Sequence, residues 1–301
     1  MPDWTILSFI LTLAVGGSVG FLSGLFGVGG GFLLVPILNV LLAVPMALAV
    51  GSTACYTLGP ATVAVMARKP AQGFLELPLI ISGGLLAGVY LGAGFLNALS
   101  DWEGLVIAGR MVPADDLLVL LSYAVLMIAI CVLTFRDGLK RTKSNQKRTG
   151  LFSYWLLPPV AEILDLSPSR HSIPLVAWTG VVIGFLSGFL GMSGGLVLIP
   201  ACIYLLGLRV HEAGTVTIVI VWLVSAQSTV LHAYHDHINL TLVVSLLISG
   251  TIGAAIGAQF AGGLSASQLK MGFGTLVLLA ALIVLTRLCI LVGYGNAASV
   301  L

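Results

Sequence analysis

Residues 20–36 read GFLSGLFGVGGGFLLVP and residues 184–200 read GFLSGFLGMSGGLVLIP, the same block displaced by 164 positions without a gap. Ten of the seventeen positions are identical: Gly20, Phe21, Leu22, Ser23, Gly24, Gly27, Gly30, Gly31, Leu34 and Pro36 match their counterparts. Shared hydrophobicity does not produce that agreement, so the chain is an internal duplication. Working outward, Gly51-Ser52-Thr53 echoes Gly214-Thr215-Val216, and the run from Gly88 to Ala93 echoes the run from Gly253 to Ala258. The latter pair are small-xxx-small faces, which let two membrane helices approach closely.

The medium in which this duplication folds follows from composition. Of 301 residues 58% are hydrophobic and 8% charged, whereas a soluble surface needs roughly 25% charged residues. The chain is predicted to be a membrane protein. A net charge of +2 gives no nucleic-acid footprint, because six of the 13 basic residues lie in one short stretch: Arg136, Lys140, Arg141, Lys143, Lys147 and Arg148. Cys55, Cys131, Cys202 and Cys289 stand singly in apolar runs and read as small buried hydrophobes. No basic residue precedes the first apolar run, so a cleavable signal is not expected and that run should stay in the protein.

A crossing takes about 20 apolar residues. Trp4 to Phe26 supplies the first, then a Gly-rich break and a shorter run from Phe32 to Val44. Met46 to Met66, Leu77 to Leu99 and Leu117 to Phe135 complete the half. The same order returns from Ile173 to Leu190, a break, a short run to Leu206, then Val210 to Leu231, Leu240 to Gly263 and Leu269 to Leu285. The expected fold is all-α and polytopic, with residues 1–135 as one transmembrane repeat, 136–172 as a basic cytoplasmic linker and 173–301 as the second repeat. Trp4 to Val44 as one helix would be about 60 Å, twice the hydrocarbon thickness, so it either crosses twice or dips in and returns. Each half then crosses an odd number of times, which makes inverted repeats the preferred arrangement over parallel ones. The positive-inside rule places Arg68, Lys69, the linker, Arg209 and Lys270 inside and the turn His235-Asp236-His237 outside. Arg287 is the exception.

The two breaks carry the functional reading. Glycine tolerates left-handed backbone and leaves amides uncovered, so helices are expected to stop at Gly27 to Gly31 and at Gly191 to Gly195. Interrupted backbone at membrane depth is tolerated where it is buried in protein or lines a watery cavity. A helix beginning at Gly31 or Gly195 presents free amides and a positive dipole end, which together favour an anion. Paired interrupted helices in inverted halves are also the sequence pointer to a transporter's midplane site. The plainer alternative is that these glycines only permit tight packing.

The paired blocks, the four-element halves and the basic central linker resemble the sulfite exporter TauE/SafE family across nearly the whole chain. The resemblance implies a multi-pass permease of a bacterial or archaeal inner membrane for a small sulfur-containing anion such as sulfite or a sulfonate. Ser193, standing where the first copy has Gly29, departs from repeat symmetry.

Candidate substrate-binding residues are therefore Ser23, Gly27, Gly29, Gly30, Gly31 and Thr53 in the first half and Ser187, Gly191, Ser193, Gly194, Gly195 and Gln227 in the second. Ser52, Thr57, Thr215, Thr217 and Ser228 are further polar groups in spans, although a membrane Ser or Thr ordinarily bonds its own helix. Gln227 calls for a polar partner. Ser193 reads as a helix N-cap or as a donor to bound anion; a serine-hydrolase reading with His232 as base lacks the strand, turn and helix of a nucleophile elbow. His232, His235 and His237 read as interfacial residues rather than metal ligands. No cofactor, metal or enzymatic activity is expected. The expected partners are a small anion and the lipid bilayer, with the coupling ion, H+ or Na+, and self-association left open. A passive anion channel is the rival reading.

Overall fold

In lipid every backbone N–H and C=O has to be satisfied within the protein, so apolar runs of spanning length fold as helices. The computed structural model describes residues 6–27, 29–68, 75–102, 104–107, 110–139, 150–154, 157–162, 170–261, 263–264 and 266–293. The first half holds α1 (Ile6–Phe26), α2 (Gly31–Leu41), α3 (Met46–Arg68), α4 (Glu76–Ser100) and α5 (Ala114–Leu139). The second holds α6 (Ile173–Leu190), α7 (Gly195–Tyr204), α8 (Val210–Tyr234), α9 (Leu240–Ala261) and α10 (Ala266–Gly293). Eight of these are long and apolar enough to cross a membrane, and α2 and α7 are the short ones. The protein is a polytopic all-α membrane protein, as its composition predicts.

Some details differ from the sequence reading. The connection between α4 and α5 contains a short antiparallel hairpin, β1 (Leu105–Ile107) with β2 (Arg110–Val112). A second hairpin, β3 (Val160–Glu162) with β4 (Arg170–Ser172), leads into α6. Helix α5 also continues to Leu139, into the stretch read as linker. Lys69 and the linker residues Lys140, Arg141, Lys143, Lys147 and Arg148 lie outside the described residues. Cys131 and Cys202 are buried as expected, but Cys55 is half-buried and Cys289 is exposed on α10.

The closest helix contacts join one half to the other. On α4, a methyl at Gly84, Gly88 or Gly92 would overlap the carbonyl of Ala177, Val181 or Phe185 on α6 in turn. On α1, a methyl at Gly20 or Gly24 would overlap the carbonyl of Gly250 or Ala254 on α9. Both contacts advance in step along the two chains, so α4 lies parallel to α6, and α1 parallel to α9. Helix α3 also follows α9, with Gly51 against His237 and Gly59 against Thr251. It opposes α8, where Thr57 meets Ser225 and Thr62 meets Trp222. Glycine is the residue such contacts require, because any side chain would force the backbones apart.

Buried aromatics lock this frame. The Tyr56 hydroxyl donates to the Gly16 carbonyl at 3.1 Å, and the Tyr123 hydroxyl donates to the Leu190 carbonyl, the last of α6, at 2.7 Å. Arg287, which broke the charge rule, lies within electrostatic reach of Asp116 at the start of α5. The Asn39 amide donates to that same carboxylate at 3.3 Å.

The glycine seams make a stability prediction with an internal control. Gly88→Val, whose side chain meets the Val181 carbonyl, should cost about 1–3 kcal/mol or more by overpacking and lower Tm in detergent by several degrees. Gly83→Val, with nothing within 4 Å of its Cβ position, should leave Tm nearly unchanged.

Candidate functional site

Both breaks form where the glycines stand. Helix α1 ends at Phe26 and α2 begins at Gly31, with Gly27, Gly29 and Gly30 at φ of 70°, 85° and 70°. Helix α6 ends at Leu190 and α7 begins at Gly195, with Gly191, Ser193 and Gly194 at 67°, 54° and 71°. Left-handed backbone costs an L residue roughly 1–2 kcal/mol, so Ser193 carries strain that Gly29 avoids at the equivalent position. The turns also repeat their packing at the offset of the sequence repeat. The Gly27 N–H bonds the Ser23 carbonyl at 2.7 Å and the Gly191 N–H bonds the Ser187 carbonyl at 2.8 Å. Gly30 folds back on Val19, and Gly194 folds back on Ile183.

The kinks meet each other and grip the opposite half. A methyl at Gly31 would lie 3.1 Å from the Gly191 carbonyl oxygen and 3.1 Å from Thr57 Cγ2. One at Gly29 would lie 3.0 Å from Val221 on α8, while Gly191 sits against Val50 on α3. Ser193 Oγ is 2.6 Å from Thr57 Oγ1, which is 3.0 Å from Ser225 Oγ, so the second kink, α3 and α8 share one chain of hydroxyls. Ser225 was not singled out from the sequence. Its spacing to Ser228 and His232 on one face of α8 was the available signal.

Ser193 is not an N-cap. Gly194 holds that position in left-handed conformation, without a side-chain cap. In α7 the first N–H groups bonded to backbone are those of Val197 and Leu198, both to the Gly194 carbonyl. Among the described residues, nothing accepts from the Gly195 and Leu196 amides, although both residues are buried. A buried helix start without acceptors is costly and calls for an explanation. Helix α2 begins the same way, with Leu33 and Leu34 bonding to the Gly30 carbonyl.

The polar candidates divide sharply. Ser23 is buried in the turn before the first kink. Thr53, Ser187 and Ser228 are fully buried, and among the described residues their hydroxyl oxygens have no hydrogen-bond partner; nor does Gln227 Oε1, for which the sequence calls for one. Ser52 accepts from the Asn239 N–H at 3.3 Å. The kinks are buried throughout, from Gly29 to Gly31 and from Gly191 to Gly195. A crevice of about 730 Å³ lies elsewhere, between α1 and α9, lined by apolar groups such as Phe21, Ile252 and Ile256.

The histidines show a burial that the sequence did not signal. His232 is fully buried and His237 nearly so, at the turn between α8 and α9. His232 uses one ring nitrogen on the Gly188 carbonyl and the other on His237, which leaves neither for Ser193. Among the described residues, no cluster of His, Cys, Asp or Glu has the grouping of a metal site.

Comparison with known proteins agrees with this architecture. The sulfite exporter TauE/SafE family matches residues 12–284. A probable membrane transporter protein of Xylella fastidiosa is 25% identical over 288 residues, covering 94% of this chain and 97% of the relative. The probable membrane transporter protein YunE of Bacillus subtilis is 24% identical over 271 residues, covering 83% and 89% respectively. No solved structure matches. A family match over most of the chain, on a fold of eight spans and two broken helices, makes this protein a member of the sulfite exporter TauE/SafE family of membrane transporters.

Proposed function

We propose that this transporter is a permease for a small sulfur oxyanion, such as sulfite or a sulfonate, held between the starts of α2 and α7 in an inner membrane. The observation that carries the proposal is the buried start of α7, where two amides lack acceptors. The hydroxyls of Thr53 and Ser187, also unpartnered, add donors of the kind an oxyanion accepts. Such groups are expensive in a dry interior unless a ligand satisfies them. In this reading the buried kinks are the occluded arrangement of an alternating-access cycle.

Three further elements belong to the same reading. The division into repeats at residues 1–135 and 173–301 is supported by the packing repeated at constant offset. An inverted arrangement of the halves is supported by the opposed course of the equivalent helices α3 and α8. The glycine seams join α1 to α9 and α4 to α6 across the halves, which favours movement of the short helices α2 and α7 against that frame as the form of alternating access.

Two experiments test the site. Gly30→Val and Gly194→Val place a branched side chain at φ near 70°, so each should insert normally yet lower saturable anion counterflow in proteoliposomes at least tenfold. Normal flux in both variants removes the kinks from the site, and single-channel conductance in the unmodified protein would assign a channel instead. Thr53→Val deletes a buried hydroxyl that has no internal partner, so Tm should hold or rise. Its half-saturating anion concentration should rise roughly tenfold, the loss of one hydrogen bond to a charged ligand. A panel of sulfite, methanesulfonate and thiosulfate identifies the preferred anion.

A further inference from the structure

At the turn between α8 and α9, two buried imidazoles touch each other and the last turn of α6. His232 Nε2 lies 2.9 Å from the Gly188 carbonyl oxygen. A carbonyl only accepts, so that nitrogen carries hydrogen and His232 Nδ1 is left with a lone pair in the neutral ring. The His237 Nδ1 atom is 3.4 Å from it, and must therefore donate. The remaining lone pair of the two rings is His237 Nε2, where one further proton can bind. That proton leaves the contact intact as a charge-assisted bond, N–H+ to N. A second would have to replace the lone pair of His232 Nδ1 and break the contact. The geometry holds one extra proton and no more.

Resting on the oxyanion-permease reading above, we infer that His232 and His237 form the proton-coupling site of the transport cycle, loading one H+ for each anion bound at α7. Two helix C-termini converge on the pair. His232 lies in the last turn of α8, and Gly188 lies in the last turn of α6, so both negative dipole ends favour a cation. Three residues past Gly188 the chain enters the kink, and α7 begins at Gly195 with its positive end exposed to the proposed anion. Cation and anion sites thus lie on either side of the kink, on the last turn of α6 and the first of α7. Attraction between their charges makes each ligand raise the affinity for the other, and that coupling is reciprocal.

The surrounding charges are few. His235 of the same turn lies 5.8 Å from His237 between ring centroids, and Asp236 is adjacent in the chain. Asp101, at the end of α4, is the charged group facing His237 from another element. From α6 and α3 the neighbours are the Gly188 carbonyl and Gly51, which do not titrate. Burial pushes His237 below the ordinary imidazole range and His235 adds to that, while Asp101 and Asp236 oppose it. A depressed value means the neutral form is favoured at pH 7 in the occluded arrangement. Proton uptake then accompanies opening to water or arrival of the anion.

Methanesulfonate is the probe that separates the protein's proton from the ligand's, because a sulfonate does not titrate in this range. In proteoliposomes of the full chain, its half-saturating concentration should rise by up to tenfold per pH unit above neutrality, as one coupled proton requires. An inward-acid gradient should drive its accumulation. His237→Gln should abolish both dependences, while His211→Gln, at the other end of α8, should keep them. Methanesulfonate flux without pH dependence, or dependence surviving His237→Gln, overturns the proton site while leaving the permease reading intact. Absence of any counterflow across the anion panel overturns the permease reading instead. Nitrogen-15 NMR of the purified protein, with its five histidines assigned by single substitution, tests the pair without transport. One shared protonation, with His232 Nε2 carrying hydrogen throughout, supports the site. Two independent titrations near the ordinary value of about 6.5 overturn it.

Discussion

The rest of the structure depends on the requirement that backbone inside a bilayer have partners. A helix meets it alone; a break does not. Here each break is enclosed by the opposite half, the first against Val221 and the second against Val50 and Thr57. Neither half could shelter its own interrupted backbone in this way. Duplication thus supplies the protein environment in which two short helices begin, enclosed among the apolar spans.

Enclosure is almost symmetric, and the departures are informative. Contacts of the two turns recur at the 164-residue offset, down to Val19 and Ile183 behind Gly30 and Gly194. The side chain of Ser193 breaks the match. It takes a left-handed backbone that glycine would hold more cheaply, and in return joins Thr57 and Ser225 through their hydroxyls. The first kink, with Gly29, has no equivalent hydroxyl to offer. The two helix starts are therefore chemically distinct, although their folds agree.

Much of this was legible in the amino-acid order because lipid leaves few options. Apolar runs had to be helices, and Gly27 to Gly31 and Gly191 to Gly195 had to interrupt them; α6 begins and ends at the residues expected, Ile173 and Leu190. What the order does not encode is partnership. The glycine faces on α1 and α4 announce close contact, but a small-residue face specifies a distance and not a neighbour, so their pairing with α9 and α6 across the halves emerges only in three dimensions. Side-chain roles were hidden for a related reason. Ser193 looks like an N-cap because serine favours that position, yet a left-handed Gly194 intervenes. His232 stands near a helix end, and only the approach of α6 buries it.

The cross-half seams also bear on biosynthesis. Helix α1 leaves the ribosome more than two hundred residues ahead of α9, the surface its glycines fit. Until that partner is inserted, the grooves around Gly20 and Gly24 face lipid chains that fill them poorly. The contacts that fix α1 against α9 can therefore form only after the second half has been made. A chain truncated after the central loop would hold hydrophobic spans of adequate length and still lack the mates that give them a fixed position.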